Sequence, residues 1–99
     1  MKTISNKEVK ITTESGLMHR SDLLVIVTNE PGERGIKISE QRERMRILEV
    51  IEKADKGDIT LEDADFNKLK TLYEAFGWTA VHKDLTDLAD HLDELAKQK

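Results

Sequence analysis

The residues of this sequence that could carry out acid–base or metal chemistry include three histidines. They are His19, His82 and His91. No two of them stand at the spacing of metal ligands, and no HExxH motif or His/Asp cluster is present. His91 follows Asp87 by four residues, a spacing that predicts a solvent-side pair on one helix face. We therefore expect structural or surface roles for the histidines.

Carboxylates are numerous, and Asp63 with Asp65, or Asp87 with Asp90 and His91, could supply general acid and base groups. That chemistry requires a cleft and a perturbed pKa, and the sequence indicates neither. The chain has no cysteine, which excludes disulfides, a thiolate nucleophile and Cys-based zinc sites. We expect no enzymatic activity, no cofactor, no metal site and no small-molecule substrate.

The segment around Gly57 has a superficial likeness to a calcium loop. An EF-hand alignment on Gly57 puts Ala54 and Lys56 at two early ligand positions, so one ligand is missing and another is replaced by a cation. A helix break followed by a new helix start explains this segment better.

The main concentration of basic residues is Arg42, Arg44 and Arg46 on one predicted helix. Arg42 and Arg46 share a helix face and could grip an acidic partner or a nucleic-acid backbone. Glutamates at 40, 43 and 49 are interleaved with them. The net charge of −4 also argues against a general phosphate-backbone binder. Solvated ion pairs are the leading interpretation, followed by an acidic protein partner and then by nucleic acid.

A leucine-rich pattern marks the C-terminal helix, where five apolar residues are separated by 4, 3, 4 and 3 residues. We call this set the leucine seam: Val81, Leu85, Leu88, Leu92 and Leu95. Two heptads are too few to establish a coiled coil from sequence. Packing against helices of the same chain is the first interpretation, and a dimer interface is the second.

The elements that must position these residues begin with a β-hairpin. Residues 8–13 alternate, with Val9 and Ile11 β-branched, and Glu14-Ser15-Gly16 reads as a turn, so a hairpin is predicted over about 8–19. The apolar segment 21–29 (SDLLVIVTN) could be a helix or a buried strand. Its polar head and the following Pro31-Gly32 favour a short helix. A loop is predicted over 29–37.

Three longer helices are predicted over about 39–55, 61–76 and 80–97, with Ser39 and Thr60 as N-caps of the first two. Gly77 is predicted to end the second of these helices with a positive φ, so that Trp78 folds back over the helix end. The stretch 59–78, which contains the second of these helices, holds all four aromatic residues, and we expect the densest packing there. The predicted core is Phe66, Leu69, Leu72, Tyr73, Phe76 and Trp78 against Met45, Leu48, Ile51, Leu85, Leu88 and Leu92.

These elements predict one α+β domain of 99 residues, with a small N-terminal hairpin packed on a bundle of three to four helices. The N-terminus has no apolar signal-peptide core, and the longest apolar run is the five residues 23–27. We therefore expect an intracellular protein with no membrane-spanning segment.

The order of elements resembles a type of small phage-encoded protein of about a hundred residues. The likeness runs over residues 8–95, through TTESG, RSDLLVIV, GIKISEQRERMRILEVIEKA, LEDADFNKLKTLYEAFGW and HKDLTDLADHLDEL. The resemblance implies a phage or prophage setting, in the host cytoplasm or the virion, with a role in assembly or host takeover through protein contacts. The resemblance assigns no functional residues to this chain. The expected partner is a protein or a second copy, reached through the leucine seam or the LLVIV segment.

Overall fold

The computed structural model describes residues 1–13, 16–78 and 81–98, and these contain four strands and four helices. In chain order they are β1 (Lys2–Ile4), β2 (Glu8–Thr13), β3 (Gly16–His19), α1 (Arg20–Thr28), α2 (Ile38–Ala54), β4 (Ile59–Leu61), α3 (Asp63–Ala75) and α4 (Lys83–Ala96). The prediction of an α+β fold with an N-terminal hairpin and a helical bundle is confirmed.

The hairpin is the antiparallel pair β2–β3, in which Val9 lies opposite Met18. Val9 is buried in the core, and the Lys10 amide donates to the Asp84 carboxylate on α4 at 2.5 Å. These contacts pack the hairpin on the helices, as a two-stranded ribbon requires for stability. The predicted turn residues Glu14 and Ser15 lie outside the described residues.

A second antiparallel ladder, which the sequence did not predict, pairs β1 with β4. Ile4 lies opposite Ile59, both are fully buried, and the Thr3 and Thr60 hydroxyls meet across the ladder at 3.0 Å. Thr60 is therefore a strand residue, and its prediction as a helix N-cap is wrong. Helix α3 begins at Asp63 instead, with the Phe66 amide donating to the Glu62 carbonyl at 2.8 Å.

Residues 20–28 form a helix. This is the conformation that the polar residues at the start of the apolar segment and the proline after it favoured. His19 is the N-cap, and its amide donates to the Asp22 carboxylate at 2.8 Å. The Asp22 carboxylate, which lies in the first turn of α1, thus accepts a hydrogen bond from the N-cap amide, as in a capping box. Leu23, Leu24 and Val27 are buried, so most of the LLVIV segment belongs to the core of this chain.

Helix α2 starts one residue earlier than predicted, at Ile38, with Lys37 as its N-cap. Ser39 lies in the first turn, so its prediction as the cap is wrong. The core-facing side of α2 is formed by Arg44, Ile47 and Ile51, which are all buried. Met45, which was predicted to be a core residue, lies on the opposite side and is 52% exposed.

The aromatic segment packs as predicted, although α3 ends differently. Phe66 and Tyr73 are buried, and Trp78 lies 4.5 Å from Phe76 and 5.8 Å from Tyr73 between ring centroids. The chain leaves α3 at Phe76, which is extended with φ −74° and ψ 132°. Only Gly32 and Gly35 have a positive φ among the glycines described, so the prediction for Gly77 is wrong.

The turn after α2 holds a non-glycine residue in a conformation that favours glycine. Asp55 has φ 52° and ψ −114°, and the Gly57 amide donates to the Ala54 carbonyl at 2.7 Å to close the turn. These angles are near those of the first central position of a type II′ turn, where a side chain strains the backbone. The strain has a testable consequence for stability.

Replacing Asp55 with glycine is expected to raise the free energy of unfolding by about 1 kcal/mol, because relief of strain exceeds the entropy that glycine adds to the unfolded chain. Urea denaturation measures the change. Lys56→Gly is the matched control, since Lys56 has no positive φ and should lose stability on the same change. A loss of stability in both variants would contradict the prediction.

Candidate interaction surface

The three arginines of α2 have different environments. Arg44 is buried, and its Nη1 donates to the Thr28 carbonyl at 3.2 Å and to the Glu30 carbonyl at 2.6 Å. These carbonyls lie at and just beyond the end of α1, where no further helical amide follows to bind them. Arg44 therefore ties α2 to the end of α1 and is not a surface contact.

Two ion pairs tie α2 to α3. Arg46 Nη2 lies 3.3 Å from the Asp65 carboxylate, and Lys68 hydrogen-bonds to Glu40. The hydrogen bond from Lys68, together with the charges of Lys68 and Arg44, lowers the pKa of Glu40. Arg42 is exposed and makes no ion pair in the part of the chain that the structure describes. The arginines thus do not form one basic patch.

The leucine seam is divided between core and surface. Leu88 and Leu92 are at most 1% exposed, and Leu85 and Leu95 are also buried, so these four pack inside this chain. Val81 precedes α4, which starts at Lys83 rather than near residue 80, and it is fully exposed. Packing within the chain, the first interpretation, accounts for the leucines. They are not available to a dimer interface in this fold.

The outward side of α2 carries a straight row of exposed side chains that we call the outer α2 stripe: Ile38, Arg42, Met45, Glu49 and Glu52. They are separated by 4, 3, 4 and 3 residues, which is the same spacing as in the leucine seam. Ile38 is 64% exposed and Met45 is 52% exposed. Charged residues interrupt the apolar positions of this stripe, so the amino-acid sequence shows its spacing but does not mark it as a binding surface.

A groove runs beside this stripe, between α1 and α2, and we call it the α1–α2 groove. One cavity of about 380 Å³ has Val25 and Leu48 as apolar lining, with Asp22, Glu52 and Asp55 also lining it. A smaller cavity of about 130 Å³ adjoins it through Leu48. Together they form a groove lined by apolar and polar side chains, with an acidic end.

Two further apolar residues are accessible on or next to α1 and α2. Ile36 lines the smaller cavity, and Ile26 on α1 is 38% exposed. Apolar side chains that gather beside a groove are typical of sites that bind an amphipathic helix.

The histidines have structural roles. The Ser5 amide donates to His91 Nε2 at 3.0 Å, and the Asp84 amide donates to His82 Nδ1 at 3.1 Å. Burial, together with the charges of Arg20 and Lys7, lowers the pKa of His91. Asp87 makes no ion pair with His91 within the described ranges, so the predicted solvent-side pair is not found. In the part of the chain that the structure describes, no three His, Asp or Glu side chains are grouped so that they could hold a metal ion.

Comparisons with protein-family models, curated proteins and solved structures found no significant match to this chain. Across the described residues, none of the helices is both long enough and apolar enough to cross a membrane. The candidate site therefore rests on the geometry of α1 and α2 alone.

Proposed function

We propose that this chain is a non-enzymatic protein-interaction module that binds its partner through the outer α2 stripe and the α1–α2 groove. The observation that carries the proposal is the exposure of Ile38 and Met45, at 64% and 52%, on one side of α2, where Met45 also lines the smaller cavity of the groove. Helix faces in monomeric proteins normally present polar side chains to water, and apolar rows on them are typical of binding surfaces.

The proposal includes a phage or prophage setting, in which the protein works in the host cytoplasm or as part of the virion. Its support is the resemblance in the order of elements, from the hairpin through RSDLLVIV to the last helix. A role in assembly or host takeover would use contacts of this kind. Nucleic-acid binding through Arg42–Arg46 has less support, because Arg44 is buried and Arg46 is paired with Asp65.

Photo-crosslinking tests this function. A photoreactive amino acid in place of Met45 is expected to give a discrete crosslinked protein adduct in cells that express this protein. The same photoreactive amino acid in place of Thr86 on α4 should give no adduct. Both positions are exposed and helical, so the comparison isolates the surface. Equal labelling from both positions, or none from either, would count against the proposal.

A second substitution checks that the adduct depends on the stripe. Ile38→Lys puts a charge into the same row as the probe and should abolish the adduct from position 45. Thr71→Lys changes an exposed residue of α3 in the same way and should leave the adduct intact. If Thr71→Lys and Ile38→Lys had the same effect, the adduct would not report on the outer α2 stripe.

A further inference from the structure

The outer α2 stripe has an asymmetric charge distribution. Arg42 lies in its first half, preceded by Lys37 at the helix start, whereas Glu49 and Glu52 lie in its second half. Met45 stands between the two halves and is 52% exposed. The stripe is therefore positive at one end, apolar in the middle and negative at the other end.

Such a stripe is complementary to its own copy in one orientation only. When a second α2 lies antiparallel about a two-fold axis near Met45, Arg42 of each copy faces Glu49 of the other, and the two Met45 side chains meet at the axis. In a parallel arrangement Arg42 would face Arg42 and Glu49 would face Glu49, which costs free energy. The charges therefore select the antiparallel pair.

The α1–α2 groove fits the same arrangement. In the antiparallel pair, Ile38 of the second copy lies beside Glu52, at the end where the cavity of about 380 Å³ opens. Ile38 is 64% exposed in the single chain, and Val25 and Leu48 provide an apolar lining for it. Lys37 of the second copy approaches the acidic end of the same groove.

We propose that the partner of this surface is a second copy of the chain, docked antiparallel on the outer α2 stripe. Two symmetric Arg42–Glu49 ion pairs flank the Met45 contact, and Ile38 of each copy enters the α1–α2 groove of the other. This inference rests on the proposed function and deepens it by naming the partner. Because an interface built on one helix pair is small, the dissociation constant should be on the order of 10–100 µM.

Charge reversal provides the test. Arg42→Glu alone and Glu49→Arg alone each put like charges at both symmetric pairs and should weaken self-association at least about tenfold. An equimolar mixture of the two variants restores opposite charges at both pairs, because one copy then carries two glutamates and the other two arginines. The mixture should form a heterodimer with wild-type affinity. A chain that carries both Arg42→Glu and Glu49→Arg should form a homodimer, because its two ion pairs are restored with the charges exchanged.

Mass in solution is measured by light scattering over a dilution series from about 300 to 3 µM, which brackets the expected dissociation constant. Native mass spectrometry of the mixture identifies the heterodimer. Lys83→Glu on α4 is the control, because it makes the same change of charge at an exposed residue away from the stripe. It should dimerise as the wild type does. Equal melting temperatures of all variants at about 3 µM, where the wild type is largely monomeric, show that the fold is intact.

The proposal is overturned if the wild-type chain is monomeric at every concentration, if the mixture stays monomeric while the wild type dimerises, or if Lys83→Glu weakens the dimer as much as Arg42→Glu. The proposed function can fail separately. A monomeric chain that still gives a position-45 adduct with another protein keeps the interaction function and removes only self-pairing. A chain that is monomeric and also gives no position-45 adduct removes both proposals.

Discussion

Replacing Leu88 with alanine is expected to lower the free energy of unfolding by about 3 kcal/mol. Leu88 is 0% exposed and belongs to the core cluster that also contains Phe66 and Tyr73. Removing three buried carbon atoms loses their transfer free energy and leaves a cavity that the neighbouring side chains fill only in part. Urea denaturation with an unchanged slope measures the loss directly.

The leucine seam supplies its own control. Val81 continues the same spacing but is fully exposed, so Val81→Ala should change the free energy of unfolding by less than about 0.5 kcal/mol. If the leucine seam were an interface between chains, Leu88→Ala would change the mass in solution with little effect on the stability of the single chain. That outcome would contradict the packing described for α4.

Replacing Arg44 with alanine is expected to lower the free energy of unfolding by about 3 kcal/mol, a loss typical of a buried, hydrogen-bonded residue rather than of an exposed arginine. The change removes the donor for the Thr28 and Glu30 carbonyls and leaves at least the first of them buried without a partner. It also removes the charge 3.6 Å from Glu40, although Glu40 keeps its hydrogen bond with Lys68. The carbonyl contacts are therefore expected to account for most of the loss.

Arg42→Ala is the matched control for this prediction, since Arg42 lies half a turn away on the same helix and is exposed. Its effect on the free energy of unfolding should stay below about 0.5 kcal/mol. Arg44→Lys should recover only part of the loss, because an ammonium group cannot reproduce the fork of guanidinium donors. Equal costs for Arg42→Ala and Arg44→Ala would show that Arg44 does not hold the end of α1.

Local patterns predicted those parts of the fold whose contacts lie close together in the sequence. The alternation around Val9 predicted the hairpin, and the helical spacing from Phe66 to Phe76 predicted α3. The polar head of the apolar segment favoured helix α1, although the cap itself is His19. In each case, residues a few positions apart in the sequence share one face of one element.

The β1–β4 ladder could not be predicted in the same way. Ile4 and Ile59 belong to strands of three residues, too short for an alternation to be recognised, and they are separated by most of the chain. Their pairing exists because the helices between them bring both strands to the same edge of the core. Once Ile59 and Leu61 are buried in that ladder, Thr60 faces outward and cannot cap α3.

Local patterns of residues are therefore sufficient to predict the class of fold, the hairpin, the aromatic helix and the spacing of two stripes, one on α2 and one on α4. Which of the two stripes is buried depends on how the helices pack in three dimensions. Spacing determines that side chains share a face, but not whether that face meets the core or water. The leucine seam has leucine at its four helical positions, so burying it gains apolar free energy, whereas burying Arg42, Glu49 and Glu52 on α2 would require desolvating three charges.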